Sequence, residues 1–433
     1  MTQLRVVEYM TARRRPILRS ESDIAYRLYT CNGRRVCVAA APVDQLSASR
    51  TRFPRNGLKP YSNDLAKQLS NVELAMFSNL HTLNLANHDG FEHASLEFVS
   101  CITALQYLTL DKCRPPEWTP VFKSISQLSR LCSLSLRGCG FLESDLVHLQ
   151  NLVSLQALDL NACRGVTNQG LQNVVNLTRL LRLNLSCTSV TDLKPVRGLT
   201  CLRDLNLLCS NCFNDATLAT IASLTSLSTL VMPTQHDRIQ PSLLKDLTNL
   251  QNLESLQLSS LTKVCCAWTS NLVSLRSLEI NVTHINHIGF DYLSGIRMLT
   301  HLSLCCDVHS RQHFATLGSN VTLQSLKMVV FMYTDSDVTR LSTLTALRHL
   351  EIQVGNEASL DLVHFSSLHA LERLKLLPTY GNRTSGLVHM SALSNLRHLE
   401  IGGIVSEDLA LVPAFTQLSV LRLNSDYLVL NYI

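Results

Sequence analysis

Aromatic and charged residues are scarce in this sequence, and its apolar runs are short. Of the 433 residues, 6% are aromatic and 16% are charged, whereas 46% are apolar, so leucine must fill most of the core. No apolar run reaches the ~18 residues that a membrane helix needs, and no apolar signal segment follows Met1. These absences predict an intracellular protein without membrane contact, cytoplasmic in the first place, with the nucleus or the mitochondrion as alternatives.

Signatures of common enzyme classes are missing too. The sequence has no phosphate-binding glycine loop, no G-x-S-x-G motif and no H-E-x-x-H motif. It also has no continuous basic stripe with interleaved aromatic residues of the kind that binds single-stranded nucleic acid. We therefore expect neither catalysis nor a cofactor.

Cysteine, by contrast, is abundant, with fifteen residues. An odd number of cysteines in a chain without a recognisable secretory signal predicts free thiols in a reducing compartment. Under such conditions cysteine acts mainly as a small buried apolar group. A secreted, disulfide-linked scaffold is therefore disfavoured.

Positive charge is concentrated at the beginning of the chain. Residues 1–60 contain twelve Lys or Arg and four Asp or Glu, a net charge of +8, while the whole chain carries +5. We predict a basic extension over 1–55, with a hairpin around Asn32-Gly33, and a second domain over 56–433. The extension is interpreted as a solvated tail with a capping hairpin, as a mitochondrial presequence, or as a patch for an anionic partner or for nuclear import.

A leucine pattern, L-x-x-L-x-[L/I/M], recurs fifteen times at intervals of 22 to 26 residues. The first leucines of the copies are Leu80, Leu105, Leu131, Leu155, Leu180, Leu202, Leu227, Leu253, Leu275, Leu299, Leu323, Leu347, Leu371, Leu396 and Leu418. Such a period indicates an array of similar structural units. Each copy predicts a short strand, and strands that return in the same direction must be parallel and need crossover segments. Short helices or 3₁₀ turns are expected there, for example over 166–177, 213–224 and 335–344.

The pattern resembles the leucine-rich repeat family over roughly residues 56–433. The stretch NACRGVTNQGLQNV (161–174) is similar to cysteine-containing repeats of ubiquitin-ligase subunits, and TSVTDLKPVRGLTCL (188–202) to shorter repeats of phosphatase-regulating proteins. The resemblance implies an α/β solenoid of about fifteen repeats, a curved horseshoe with a concave parallel sheet and short helices or 3₁₀ turns on the convex side. The F-box pattern of many ligase subunits is missing from residues 1–60.

Several cysteines recur at fixed positions, counted from the first leucine of each repeat. Position nine is Cys113, Cys139 and Cys163 in three successive repeats. The resemblance implies that this side chain turns inward and hydrogen-bonds the backbone. Cys187 and Cys209 share position eight of neighbouring repeats, which places them about 5 Å apart.

Two groups of residues contain side chains that can act as metal ligands. Cys187, Cys209 and Cys212 could hold zinc, but a fourth ligand is not recognisable, and free thiols are the favoured interpretation. A second group has spacings that match no zinc signature, and we expect no metal there: His284, His287, His301, Cys305, Cys306, His309 and His313.

Positions three and five of each repeat are predicted to face outward on the concave side. Beyond residue 260 position five alternates in charge, which predicts either lateral ion pairs between strands or a docking surface for a mixed-charge protein segment. The expected partner-binding residues are Tyr107, Arg182, Asp204, His349, Glu351, Arg373, Lys375, His398 and Glu400.

The end of the sequence, YLVLNYI (427–433), is apolar where a solenoid terminus is usually polar. It is expected to fold back as a cap or to be covered by a partner or by a second copy. The sequence as a whole predicts a non-enzymatic scaffold or adapter that binds a protein on the concave face. The alternative is a regulatory or substrate-recruiting subunit of an enzyme complex, such as a ubiquitin ligase, a phosphatase or a nucleotide cyclase.

Overall fold

The structure is a computed structural model. It describes residues 26–31, 34–39, 80–87, 96–210, 212, 214–232, 241–259, 266–281, 293–305, 311–330, 338–354, 360–378, 384–403 and 415–424. The apolar segment 427–433 lies outside these residues, as do the side chains of the predicted His/Cys group other than His301. The predicted division at residue 56 stays a prediction.

The chain forms two compact units, Met1–Cys212 and Phe213–Ile433. Each contains a parallel sheet whose neighbouring strands follow one another along the chain, one strand to a repeat. The strands of the first unit's parallel sheet are β3 (Thr82–Asn84), β4 (Tyr107–Thr109), β5 (Ser133–Ser135), β6 (Ala157–Asp159), β7 (Arg182–Asn184) and β8 (Asp204–Asn206). Before them, β1 (Tyr26–Cys31) pairs antiparallel with β2 (Arg34–Ala39), the pairing expected for the predicted hairpin.

The second unit has the same pattern, and its strands are longer from β10 onward. Its parallel sheet consists of β9 (Thr229–Val231), β10 (Ser255–Ser259), β11 (Ser277–Asn281), β12 (His301–Cys305), β13 (Ser325–Val330), β14 (His349–Val354), β16 (Arg373–Pro378), β18 (His398–Gly402) and β19 (Val420–Asn424). A separate short pair joins β15 (Leu360–Asp361) to β17 (Thr384–Ser385). Each of the fifteen leucine copies forms a strand, as predicted, and that strand begins at position three of its repeat.

The leucine spacing explains why each strand forms where it does. In the repeat that contains β4, Leu105, Leu108 and Leu110 are at most 1% exposed, while Tyr107 between them faces outward. Backbone carbonyls at position two fix the register between repeats. The Gln106 carbonyl, for example, accepts the N–H groups of both Cys132 and Ser133, at 2.8 and 2.9 Å.

Short helices connect the strands, as expected, and pack against their neighbours along the chain. The α-helices span Thr119–Ile125, Asn168–Leu171, Asp215–Ser223 and Arg311–Gly318. The 3₁₀ helices span Glu97–Cys101, Glu143–Asn151, Gln172–Val174, Lys194–Gly198, Pro241–Asn249, Cys266–Asn271, Thr339–Thr343, Leu362–Phe365 and Leu387–Ala392. Side-chain caps are present at Thr167 and at Asn214, whose side chain accepts the Thr217 N–H at 2.9 Å. None of the helices in the described part of the chain is long and apolar enough to span a bilayer.

Side-chain turns at position five accompany several of the short strands of the first unit. The residue at this position is often Asn or Asp there, and its side chain accepts the N–H two residues later, as Asn184 does from Ser186 at 3.1 Å and Asn206 from Leu208 at 3.0 Å. This Asx turn competes with the strand ladder and ends the strand after three residues. From β10 onward position five is a longer side chain or serine, and the described strands that carry a position-five residue run to five or six residues.

Candidate protein-binding surface

Five charged side chains of alternating sign lie on successive strands of the second unit. Lys327, Glu351, Lys375, Glu400 and Arg422 all occupy position five, and the sheet register places each directly opposite the next. We call this set the charge row. Because the residue before and after each of them is buried in most of these strands, the row faces outward.

Ion pairs connect members of the charge row. Glu351 Oε1 lies 3.5 Å from Lys327 Nζ and 3.7 Å from Lys375 Nζ, and Glu400 Oε2 lies 3.7 Å from an Arg422 guanidinium nitrogen. The predicted lateral pairing is therefore confirmed. The Arg422 side chain is 69% exposed and that of Lys327 55% exposed, so solvent weakens these pairs to a few tenths of a kcal/mol up to about 1 kcal/mol each.

A second row at position three lies beside the charge row. His349 stands opposite Arg373, and Arg373 opposite His398. The pKa of His349 is lowered, first by partial burial and then by the positive charge of Arg373, while Glu372 opposes the shift. The neutral imidazole is therefore favoured between its cationic neighbours.

Sequence reasoning missed a further ion pair, whose two residues directly precede β14 and β16. At position two, an Arg348 guanidinium nitrogen lies 2.6 Å from Glu372 Oε1, the shortest of the ion pairs in the described residues. Both side chains are close to half exposed. The signal was present in the sequence, because position two is charged in consecutive repeats, but only positions three and five were assigned to the surface.

The remaining predicted residues lie in the first unit. Tyr107 on β4 is 47% exposed and stands between Thr82 and Ser133. Arg182 on β7 is exposed and stands directly opposite Asp204 on β8. The structure thus brings Arg182 together with Asp204, and keeps Tyr107 three strands away from Arg182.

Polar side chains of the first unit are largely engaged with one another. Asp111 accepts the Ser135 hydroxyl at 2.5 Å and the Arg137 N–H at 3.0 Å, and Arg137 lies 3.8 Å from Asp159. Partial burial is the main cause that raises the pKa of Asp159, against hydrogen bonds from Asn161 and Asn184. These side chains stabilise the turns between repeats, so fewer of them remain for a partner.

The position-nine cysteines bind backbone carbonyls, as predicted. Cys113 and Cys139 are at most 2% exposed, and their thiols donate to the carbonyls of Leu85 and Leu110, each at 3.1 Å. Cys163 donates in the same way to Leu136 at 2.8 Å. Each bond reaches the carbonyl of the preceding repeat, so the cysteines connect repeats. Burial raises the pKa of Cys163 to about 11 and that of Cys139 further, which makes both thiols poor nucleophiles.

The position-eight cysteines have the opposite environment. Cys187 and Cys209 are exposed, whereas Cys212 is buried with its Sγ 3.0 Å from the Ser210 hydroxyl. No group of three or more His, Cys, Asp or Glu side chains in the described residues could hold a metal ion. The thiols at 187 and 209 therefore form a pair rather than a triad with Cys212.

Repeats that each add one strand to a parallel sheet define a repeat protein of the solenoid class. The family profile described as "Leucine-rich repeat region" matches residues 63–321, more than half of the 433-residue chain. The chain therefore belongs to the leucine-rich repeat family.

Comparison with known proteins agrees with this assignment. A "Putative adenylate cyclase regulatory protein" of Trypanosoma equiperdum is 27% identical over 270 residues, which is 62% of this chain and 31% of that protein. An internalin from Listeria monocytogenes has 22% identity and a TM-score of 0.51, covering 69% of this chain and 83% of that chain. A leucine-rich repeat protein of Leptospira interrogans has 16% identity and a TM-score of 0.54, covering 81% and 92%. Both solved structures are similar to this chain in fold.

Proposed function

We propose that this chain is a non-enzymatic scaffold or adapter that binds a protein segment of mixed charge along the charge row. The observation that carries the proposal is the one-to-one register of five alternating charges on neighbouring strands. His349, Arg373 and His398 flank the row and complete the contact surface. Tyr107, Arg182 and Asp204 are proposed as a second contact region, in the first unit.

The spacing of the charge row favours a helical partner. Neighbouring strands lie about 4.8 Å apart, and one turn of an α-helix rises about 5.4 Å. Alternate residues of an extended chain repeat only every ~6.8 Å. Over the four intervals of the row the mismatch grows to roughly 2.4 Å for the helix and roughly 8 Å for the extended chain. A helix that crosses the strands, with one charge per turn in alternating sign, therefore fits best.

The weakness of the internal ion pairs supports a docking role. Exposed ion pairs contribute little to stability. Replacing them with ion pairs to a partner therefore costs the chain little free energy. Rows of complementary charge set the register of a complex and its association rate more than its affinity. We therefore expect binding that weakens as the salt concentration rises.

The decisive experiment inverts every sign in the row, with the variant K327E/E351K/K375E/E400K/R422E. Neighbours keep opposite charges, so we expect the free energy of unfolding to change by less than about 1 kcal/mol. Partners captured by the wild-type chain are measured by affinity purification and mass spectrometry. We expect the inverted row to lose those with an alternating-charge helical segment.

A matched control inverts five exposed charges outside the sheet surface, D215K/K245E/D246K/R297E/R340E. It changes three cations and two anions, as the first variant does, at positions between the strands. Capture should survive in this control. If instead both variants keep the same partners as the wild type, the charge row serves only to join its own strands.

A second candidate function is regulation of an enzyme assembly. The relative named as an adenylate cyclase regulatory protein supports this reading, although the matched region is under a third of that protein. We expect a nucleotide cyclase to co-purify in stoichiometric amount with the full chain, and to be lost when residues 1–60 are deleted. Cyclase assays on the eluates measure this. Eluates without cyclase protein and activity would rule out this candidate and leave the scaffold proposal standing.

A further inference from the structure

Two exposed cysteines stand side by side just beyond the carboxyl ends of β7 and β8. Cys187 and Cys209 follow Asn184 and Asn206, which are paired in the sheet, by three residues each. The Cys187 N–H donates to the Leu208 carbonyl at 2.8 Å, so the hydrogen-bonded ladder continues to this point. Both residues have the same left-handed backbone, with φ of 57° and 56°. Their side chains therefore leave the backbone in the same direction.

We propose that Cys187 and Cys209 form a reversible disulfide and constitute a redox-modification site for low-molecular-weight disulfides such as oxidised glutathione. Neighbouring strands lie about 4.8 Å apart, which falls within the ~4.4–6.8 Å between Cα atoms that disulfides span. The two thiols are near enough that Cys209 contributes to the raised pKa of Cys187. Little backbone movement is therefore needed to close the bond.

The occupants of position eight set this pair apart from the other repeats of the first unit. The preceding left-handed residues at this position are Asn87, Lys112, Gly138 and Ala162. Left-handed backbone favours Gly and Asn, so cysteine brings no conformational advantage there. Two neighbouring repeats nevertheless carry cysteine, both with exposed thiols. Exposed disulfides are the labile, regulatory kind, whereas buried position-nine thiols are protected from exchange.

Exchange proceeds in two balanced steps. Either cysteine can attack first, as its thiolate; in the route that begins at Cys209, this thiolate attacks oxidised glutathione. Its sulfur bonds to one sulfur of oxidised glutathione, and the other glutathione leaves as a thiolate. Cys187 then loses its proton and displaces the second glutathione from Cys209. Two protein thiols are oxidised by two electrons, and the oxidant leaves as two thiols that carry the two protons.

The test uses the full chain, equilibrated with buffers of defined ratios of reduced to oxidised glutathione. The reaction is quenched with acid, free thiols are blocked with a maleimide, and tryptic peptides are analysed by mass spectrometry without reduction. Cleavage after Arg182, Arg197 and Arg203 places Cys187 and Cys209 on different peptides, with Cys201 on a third. We expect a linked pair of the Cys187 and Cys209 peptides that disappears on reduction, in protein that runs as a monomer on a non-reducing gel.

Three variants locate the bond. C187S and C209S should both abolish the linked pair, and the loss in C209S excludes Cys212, which lies on the same peptide. C201S is the control, because Cys201 is also exposed but has Arg179 at the equivalent position of the preceding repeat. Separate glutathione adducts on both cysteines, a bond only between two chains, or a link that survives in C209S would each overturn the proposal.

Discussion

At position nine, a thiol and a hydroxyl bind different carbonyls although they occupy equivalent places. Cys163 donates to Leu136 of the preceding repeat, whereas Ser210 donates to Leu207 of its own repeat, at 2.6 Å. The longer carbon–sulfur bond lets cysteine reach across to the neighbour. Cysteine at this position therefore contributes to the interface between repeats, and serine to the turn within one.

Removing one such thiol should weaken the first unit. We expect Cys163→Ala to lower the free energy of unfolding by about 1 kcal/mol, because a buried hydrogen bond and some packing volume are lost. Urea denaturation measures the change. Cys201→Ala, at an exposed position, should stay within ~0.5 kcal/mol of the wild type. Equal effects of the two substitutions would contradict a structural role for the buried thiol.

His349 should make the second unit sensitive to acid. Its pKa in the folded chain lies below the ordinary value of 6.5, so below that pH the unfolded chain binds more protons than the folded one. The stability contributed by the neutral imidazole is complete above pH 6.5 and is lost as the pH falls through the folded pKa.

The measurement compares unfolding free energies of the wild type and His349→Asn across this pH range. We expect acidification to lower the unfolding free energy of the wild type more than that of the variant. The difference per pH unit should be smaller than the value for the uptake of one whole proton. Arg373→Gln should reduce the effect, because the cation that disfavours protonation is gone. Parallel pH profiles of wild type and His349→Asn would show that this group does not contribute.

Glycine at the connection between strand and helix illustrates how closely successive repeats approach. A β-carbon on Gly165 would overlap the carbonyl oxygen of Phe141 in the preceding repeat, a backbone atom that has little freedom to move away. Phe141 itself packs edge-on against Phe122 and Trp118, with ring centroids 5.1 and 5.8 Å away. The close approach therefore couples the backbone of one repeat to the aromatic cluster of another.

We expect Gly165→Ala to destabilise the first unit by about 1–3 kcal/mol, the usual range for overpacking. Gly140→Ala is the matched control, since a β-carbon there meets no atom within 4 Å. Thermal or urea unfolding of the two variants distinguishes them. A Gly165→Ala protein as stable as the Gly140→Ala protein would show that the backbone relaxes at this contact.

The strand in each leucine copy could be predicted from leucine spacing alone, because the period of the repeat and the alternation of a strand act together. The inward cysteines at position nine were predictable by family resemblance. The short strands of the first unit could not be predicted, because several of them end where an Asn or Asp such as Asn184 folds back onto its own backbone. The Arg348–Glu372 pair was missed for a related reason, since position two was treated as framework. The partner-binding residues themselves remain predictions.

The two units of the molecule differ in the surface that their sheets present. In the first, short polar side chains such as Asp111 and Ser135 bind one another and the turns. In the second, long charged side chains extend from the strands and pair only weakly. The same backbone arrangement therefore carries two kinds of surface. In one unit most polar side chains bind one another, and in the other the charged side chains can exchange their weak ion pairs for pairs with a partner.

Because the signs of the charge row alternate, it matters whether an odd or an even number of repeats is gained or lost. A solenoid can gain or lose single repeats without disturbing its backbone, because each repeat contacts only its neighbours. Removing the repeat that carries Glu351 would set Lys327 beside Lys375, and like charges directly opposite one another are unfavourable. Removing two successive repeats would bring Lys327 beside Glu400 and restore attraction. Along this stretch, evolution by deletion or duplication should therefore favour steps of two repeats.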